Sequence, residues 1–220
     1  MPYRRTENVA RRLAARRDAI LAAARLLASE GGMATLQIAA VAHRAGIAAG
    51  TVYRYFPGKT DLVAALLAQI AESEIGALRR AAAGAPGPLS ALSATIMTFA
   101  ARALRERRLL FAAIAEPIDA ELDATRLAFR QSLTDEFAAR IAAAMAEGRL
   151  PEQDSRLAAG ALTGLLVEGL IGPLAPEIAG RERETVQAVT LTALRALGVT
   201  DARARGLVVQ TAVPADPAPT

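Results

Sequence analysis

Cysteine is absent from the 220 residues, which excludes a disulfide framework, thiol chemistry and any cysteine-based metal site. Tryptophan is absent too, aromatics make up only 4% of the chain, and no alternating Val/Ile/Thr runs mark out a sheet. Histidine occurs once, at His43, and lysine once, at Lys59. With a single histidine and no metal-spaced cluster, no metal or cofactor is expected, and an enzyme has almost no side chains to work with. Glu116, Asp119, Glu121 and Asp123 flank Pro117 and read as a solvated loop or helix start rather than an acid/base pair. An opening hydrophobic segment is also lacking. Residues 1–17 are Arg-rich, so no secretory signal is expected and a cytoplasmic protein is.

What is present is Ala and Leu. The hydrophobic fraction is 53%, enough in a chain of this length for a substantial core, and its residue types favour helix packed on helix. The formal charge of +4 conceals an asymmetry. Residues 1–62 hold nine Arg and Lys59 against Glu7, Asp18, Glu30 and Asp61, giving +6, while the rest of the chain sums to −2. A basic head on a mildly acidic body is the electrostatic footprint of a protein that binds a polyanion at one end.

Periodicity and breakers divide the chain into helices. Residues 1–12 read as a basic disordered arm. A helix is expected over 13–29, with Leu13, Ile20, Ala24, Leu27 and Ala28 on one stripe and Gly31-Gly32 stopping it. A second follows over 37–44. A third, short helix runs from the turn at Gly46 to Pro57, which biases Phe56 away from helical dihedrals. A fourth covers 59–83 and ends at the Gly84-to-Pro88 break. Further helices are expected at about 89–107, 108–114, 120–147, 154–172 and 181–197, with residues 199–220 a disordered tail.

The run 157–172 is apolar on nearly every side. At about 1.5 Å per residue it spans roughly 24 Å, short of the roughly 30 Å of a bilayer core, and it contains Glu168, so no membrane partner is expected. It is either the central helix of its own chain or is covered by a second subunit. Gly160 and Gly164, one turn apart, allow close backbone approach and favour a homodimer. Two helices per subunit would then form a four-helix interface of Leu157, Gly160, Ala161, Gly164, Leu165 and Glu168 with Val186, Val189, Ala193, Leu194 and Leu197.

The most informative stretch is 42–59. A helix ends, the chain turns at Gly46, where a left-handed conformation suits glycine, and a helix of about two turns follows. Val52 and Phe56 share one face and seat it, while Thr51, Tyr53, Arg54 and Tyr55 cover the rest. Within a +6 head this reads as a helix-turn-helix motif over about 37–56, its second helix suited to a major groove about 12 Å wide. Tyr55 is open to either reading, a packing residue or a contact. His43 points outward and reads as solvated or phosphate-facing rather than catalytic.

The residues Gly46-Ile47-(x)2-Gly50-Thr51-Val52-Tyr53-Arg54-Tyr55-Phe56-Pro57-Gly58-Lys59-(x)2-Leu62 resemble the signature of the TetR/AcrR family of bacterial transcriptional regulators, over about residues 14–74. The resemblance implies an all-α fold: a three-helix DNA-binding domain over 13–60, then a helical ligand-binding and dimerisation domain over 61–198. It implies that Ala49, Gly50 and Thr51 face the groove, that Tyr53 and Lys59 hold phosphates, and that Arg54 and Tyr55 reach backbone or base. Gln37, Arg44 and Ala48 complete the expected DNA-contact set. Two of these depart from the family pattern: Ala48 stands where a capping Ser or Thr is usual, and Gln37 replaces a common Ser or Thr. Phe99, Phe111, Phe129 and Leu133 are expected around a ligand pocket. The implied protein is a regulator, usually a repressor, that binds a palindromic double-stranded DNA operator and releases it on binding an unidentified small-molecule effector. A non-specific or architectural DNA-binding protein is the alternative, with a helical enzyme third.

Overall fold

A computed structural model describes residues 3–117 and 120–211. All of its regular elements among these residues are helical: α1 (Tyr3–Gly31), a 3-10 turn (Met33–Thr35), α2 (Ile38–Arg44), α3 (Ala49–Tyr53), α4 (Lys59–Ala83), α5 (Pro88–Arg105), α6 (Arg107–Ile114), α7 (Ala120–Ala146), α8 (Ser155–Leu170), α9 (Glu182–Ala196) and α10 (Asp201–Gln210). Local chemistry sets most boundaries. Pro88 opens α5 at a position where its missing N–H costs nothing. Asp154 caps α8, its carboxylate accepting from the backbone N–H groups of Arg156 and Leu157 at 2.9 and 3.1 Å. Gly148 closes α7 with φ +63°.

Two expectations fail. Residues 3–12 are not a disordered arm, because α1 begins at Tyr3. Arg and Ala are strong helix formers, and no Gly or Pro interrupts the stretch before Gly31. The tail is likewise helical over Asp201–Gln210, with Ala204, Leu207 and Val208 buried on one face. Residues 212–220, also expected to be disordered, lie outside the described residues, as do Met1 and Pro2 of the arm.

The C-terminal half of α1 packs with α2, α3 and the start of α4 around Ile20, Leu21, Ala24, Leu36, Val41, Val52, Phe56 and Leu62, all buried. This is the head. The body is built on α4, α5 and α7, with Phe99 set edge-on to Phe137 at 6.3 Å between ring centroids, α8 against α7, and α9 against α5. Two buried glutamates, Glu74 of α4 and Glu136 of α7, hold ion pairs that lock α4 into the body. Arg102 grips Glu74 through two hydrogen bonds of 2.7 and 2.5 Å, and Glu136 receives Arg79 at 2.7 Å and Arg140 at 3.1 Å.

Because α4 runs from head to body, it links the two mechanically. A second link runs through α6. Arg25 of α1 pairs with Glu106. Arg108 donates to the Gly31 carbonyl at 2.9 Å, and the Glu116 carboxylate accepts the Met33 N–H at 3.1 Å. Between them Gly32 takes φ +83° and ψ 179°, a region open essentially to glycine alone, and a Cβ there would fall on Arg108 and Glu116. Next to Arg108, Arg107 reaches the other way, donating to the carbonyls of Ala175 and Pro176 at 2.9 and 3.2 Å.

Candidate nucleic-acid interface

Gln37, extended at φ −120°, precedes α2, whose C-terminus turns through Ala45 and Gly46. Gly46 has φ +65°. The N–H of Ile47 bonds the carbonyl of Ala42 at 3.0 Å and that of Gly46 bonds His43 at 3.2 Å, satisfying the end of the helix. Ala48, extended, then starts α3, and its carbonyl receives the N–H of Thr51 at 2.8 Å. The Ala48 side chain offers α3 no cap.

Val52 and Phe56 are buried and seat α3 on the head. The opposite side is open: Ala48, Gly50, Tyr53 and Arg54 are exposed, and Ala49 and Thr51 are half-buried. Tyr55 is half-buried and packs against the core. Arg17 of α1 lies over the Phe56 ring at 5.4 Å, a cation–π contact that ties α1 to the corner between α3 and α4. Lys59 is the first residue of α4, half-buried at the same corner, with Gly58 before it providing no side-chain cap. The first amides of α4 and one ammonium thus share a place, a combination suited to a phosphate. Gln37 and His43 are exposed on α2 and just before it.

Arg44 stands apart from the expected contact set. Its guanidinium is taken up by Glu30 in a two-point pair with both hydrogen bonds at 2.8 Å. The Arg44 hydrogen bond, chiefly, holds the Glu30 carboxyl below the usual carboxylate range. Arg44 therefore ties α2 to the end of α1.

A head of this geometry, a short solvent-facing helix after a tight glycine turn on a three-helix core, defines a helix-turn-helix DNA-binding module. Residues 20–66 match the family model of bacterial regulatory proteins, tetR family. Over 54 residues the chain is 52% identical to the HTH-type transcriptional repressor KstR of Rhodococcus jostii (strain RHA1), covering 24% of this chain and 26% of that protein. Over 71 residues it is 46% identical to KstR of Mycobacterium tuberculosis (strain ATCC 25618 / H37Rv), covering 32% of each. The chain thus spans about a quarter to a third of the length of the curated relatives it matches. The whole fold is similar to that of RolR in complex with resorcinol, with a TM-score of 0.66, 22% identity and coverage of 94% of this chain and 98% of that one. It is also similar to the fatty acid degradation regulator FadR from Bacillus halodurans, with a TM-score of 0.73, 21% identity and coverage of 84% and 97%. Residues 20–66 thus match the tetR-family DNA-binding domain, and the fold of the whole chain is similar to that of a tetR-family regulatory protein from Rhodococcus RHA1, with a TM-score of 0.70 and 22% identity over 84% of this chain and 98% of that one.

The residues expected at a dimer interface divide in two. On α8, Leu157 (73% exposed), Gly160, Ala161 and Glu168 face solvent, and Gly164 and Leu165 are half-buried. On α9, however, Val186, Ala193, Leu194 and Leu197 are buried within their own chain, and Val189 is half-buried. The α9 seam, Val189 aside, is packed against its own body, chiefly α5. The outward face of α9 carries Ala188, Thr192 and Ala196 instead.

Of the residues expected around a pocket, Phe99, Phe129 and Leu133 are buried in the core, while Phe111 is half-buried beneath Arg108. An open groove of about 810 Å³ lies elsewhere, between α5, α9 and α10, with Leu104, Arg105, Arg183, Gln187 and Val209 among its lining. None of the four expected residues lines it. No helix among the described residues is long and apolar enough to cross a membrane.

Proposed function

We propose that the chain is a homodimeric transcriptional repressor that reads a palindromic operator through α3 and releases it when a small molecule binds the body. The observation that carries this reading is the seating of α3. Val52 and Phe56 consume its inner face, which leaves Gly50, Thr51, Tyr53 and Arg54 outward on a basic head. Gly50 permits close approach to the groove floor, and Thr51 offers a hydroxyl to a base edge and a methyl to thymine. Tyr53 and Lys59 flank the helix as phosphate donors, with Ala48, Ala49, Arg54 and Tyr55 along the same edge and Gln37 at the start of α2.

In this reading the head is the unit of α1 to α3 with the start of α4, and the body is the unit from α4 through α10. Two heads must present α3 to half-sites about 34–36 Å apart, which requires a fixed dimer. Leu157, Gly160, Ala161, Gly164, Leu165 and Glu168 supply the face for it, joined by the outward face of α9. RolR is named as binding resorcinol and FadR of Bacillus subtilis as binding stearoyl-CoA. Those ligands support a small-molecule role for the helical body, and a ligand acts by binding the DNA-competent and DNA-released states with different affinity.

Selection of bound duplexes from a random pool is expected to return one palindrome, and compounds that release it identify the effector class. Lys59→Ala is expected to weaken binding equally across sequences and to reduce the salt slope by about one per subunit. A changed sequence preference with an unchanged slope would show that Lys59 does not hold a phosphate. A pool that returns no preferred sequence would favour an architectural DNA-binding protein instead.

A further inference from the structure

The N-terminal half of α1 has no role in the head. The helix is 29 residues long, yet from Asn8 onward its first buried residue is Ile20, and every residue from Asn8 to Ala19 is exposed. At about 1.5 Å per residue, the part preceding Arg17 extends roughly 20 Å past the core. The place from which it leaves is defined: Arg17 rests on Phe56, between α3 and Lys59. The projecting helix therefore departs from the edge of the head that presents α3.

Its charge matches a polyanion. Arg11, Arg12, Arg16 and Arg17 lie within seven residues, and Asp18 is the one acidic residue between Asn8 and Ala19. Arg12 and Arg16 are one turn apart on one face, about 6 Å along the axis. No ion pair engages any of the four among the described residues; Arg11 has only the amide oxygen of Asn8. A long arginine-bearing helix held out from a folded domain gains nothing from intramolecular pairing. Arginine forks are suited to phosphate oxygens.

We infer that the projecting half of α1 is a second DNA-binding element, in which Arg11, Arg12 and Arg16 hold backbone phosphates of the duplex outside the segment read by α3. This rests on the reading of α3 as the groove-contacting helix. It adds affinity and footprint without adding sequence preference, because phosphate contacts carry no base information. The exposed Val9 and Leu13, at 52% and 49%, flank this arginine face and give a second possible use of the helix, self-association or a lipid surface, which the experiment separates.

The test uses the full chain with Arg11→Ala, Arg12→Ala and Arg16→Ala combined, beside a version carrying Lys at all three positions. None of the three contributes to the core, and both Ala and Lys favour helix, so circular dichroism should match wild type. Binding to the selected operator and to random duplex is measured against salt, with footprinting on the operator. The Ala version is expected to lose about five units of salt slope per dimer, from three arginines in each subunit at about 0.9 per phosphate released. It should shorten the protected segment at both ends and keep the same order of preference among operator variants. The Lys version should retain the slope. An unchanged slope and footprint would overturn the inference. So would a change confined to self-association or to binding of vesicles containing anionic lipid. If the wild-type chain prefers no sequence, the reading of α3 fails, while the slope on random duplex still decides the role of α1.

Discussion

Ala48 begins the helix on which the proposed function depends, and it cannot accept a hydrogen bond from the amides it precedes. Its backbone is extended, as an N-cap requires, and its side chain is exposed, so a hydroxyl fits without repacking. Ala48→Ser is expected to stabilise the head by about 1 kcal/mol, read as a raised unfolding midpoint. No increase would mean that α3 is held by Val52 and Phe56 alone. A second residue-scale outcome concerns Glu30 and Arg44. The folded Glu30 carboxyl lies below its ordinary range because Arg44 bonds it. The pair therefore contributes at neutral pH and is lost as pH falls through that lowered value. Proton titration by NMR should place Glu30 below an ordinary glutamate, and Arg44→Ala should return it to the ordinary range. This pair joins residues fourteen apart through a turn and two helix ends. No spacing rule reveals it, and Arg44 reads from sequence as a surface cation free for DNA.

At the scale of elements, the helices from α4 to α9 were legible because glycine and proline punctuate them: Gly58, Gly84, Pro88, Gly148 and Pro151 stand at or beside helix ends. The two unforeseen helical stretches lack that contrast. The start of α1 has no apolar stripe, and α10 is short and contains Gly206, so propensity and a single buried face outweigh what the pattern suggests. The period of α9 was legible and its partner was not. A stripe of Val186, Ala193, Leu194 and Leu197 states that a face is covered, without saying by what. The α8 face is the better measure of assembly. A Cβ at Gly160 or Gly164 meets nothing within 4 Å in the same chain, and Gly160 is exposed, so Gly160→Arg directs its side chain to solvent in the protomer. It is expected to convert dimers into monomers in sedimentation at micromolar concentration with helicity unchanged. Persisting dimers would move the interface to another face.

In the whole molecule, head and body meet at a corner that neither could complete alone. Gly32 is pressed into a glycine-only conformation under Arg108 and Glu116. Gly32→Ala is expected to cost about 1–3 kcal/mol from the backbone alone, with displacement of the two side chains in addition. Operator affinity should fall while the secondary structure persists. Full retention of both stability and affinity would show that the corner does not set the head's tilt. The same corner has a consequence for biosynthesis. Met33, Gly31 and Arg25 find their partners 83, 77 and 81 residues further along the chain. Leu62 completes the head 54 residues before Glu116, so at about 5–20 residues per second the finished head waits roughly 3–11 s for the last of them. During that interval it can bury Ile20, Val41, Val52 and Leu62 among themselves but leaves the corner open. The reading head is therefore formed first and aimed last, when α6 has been made.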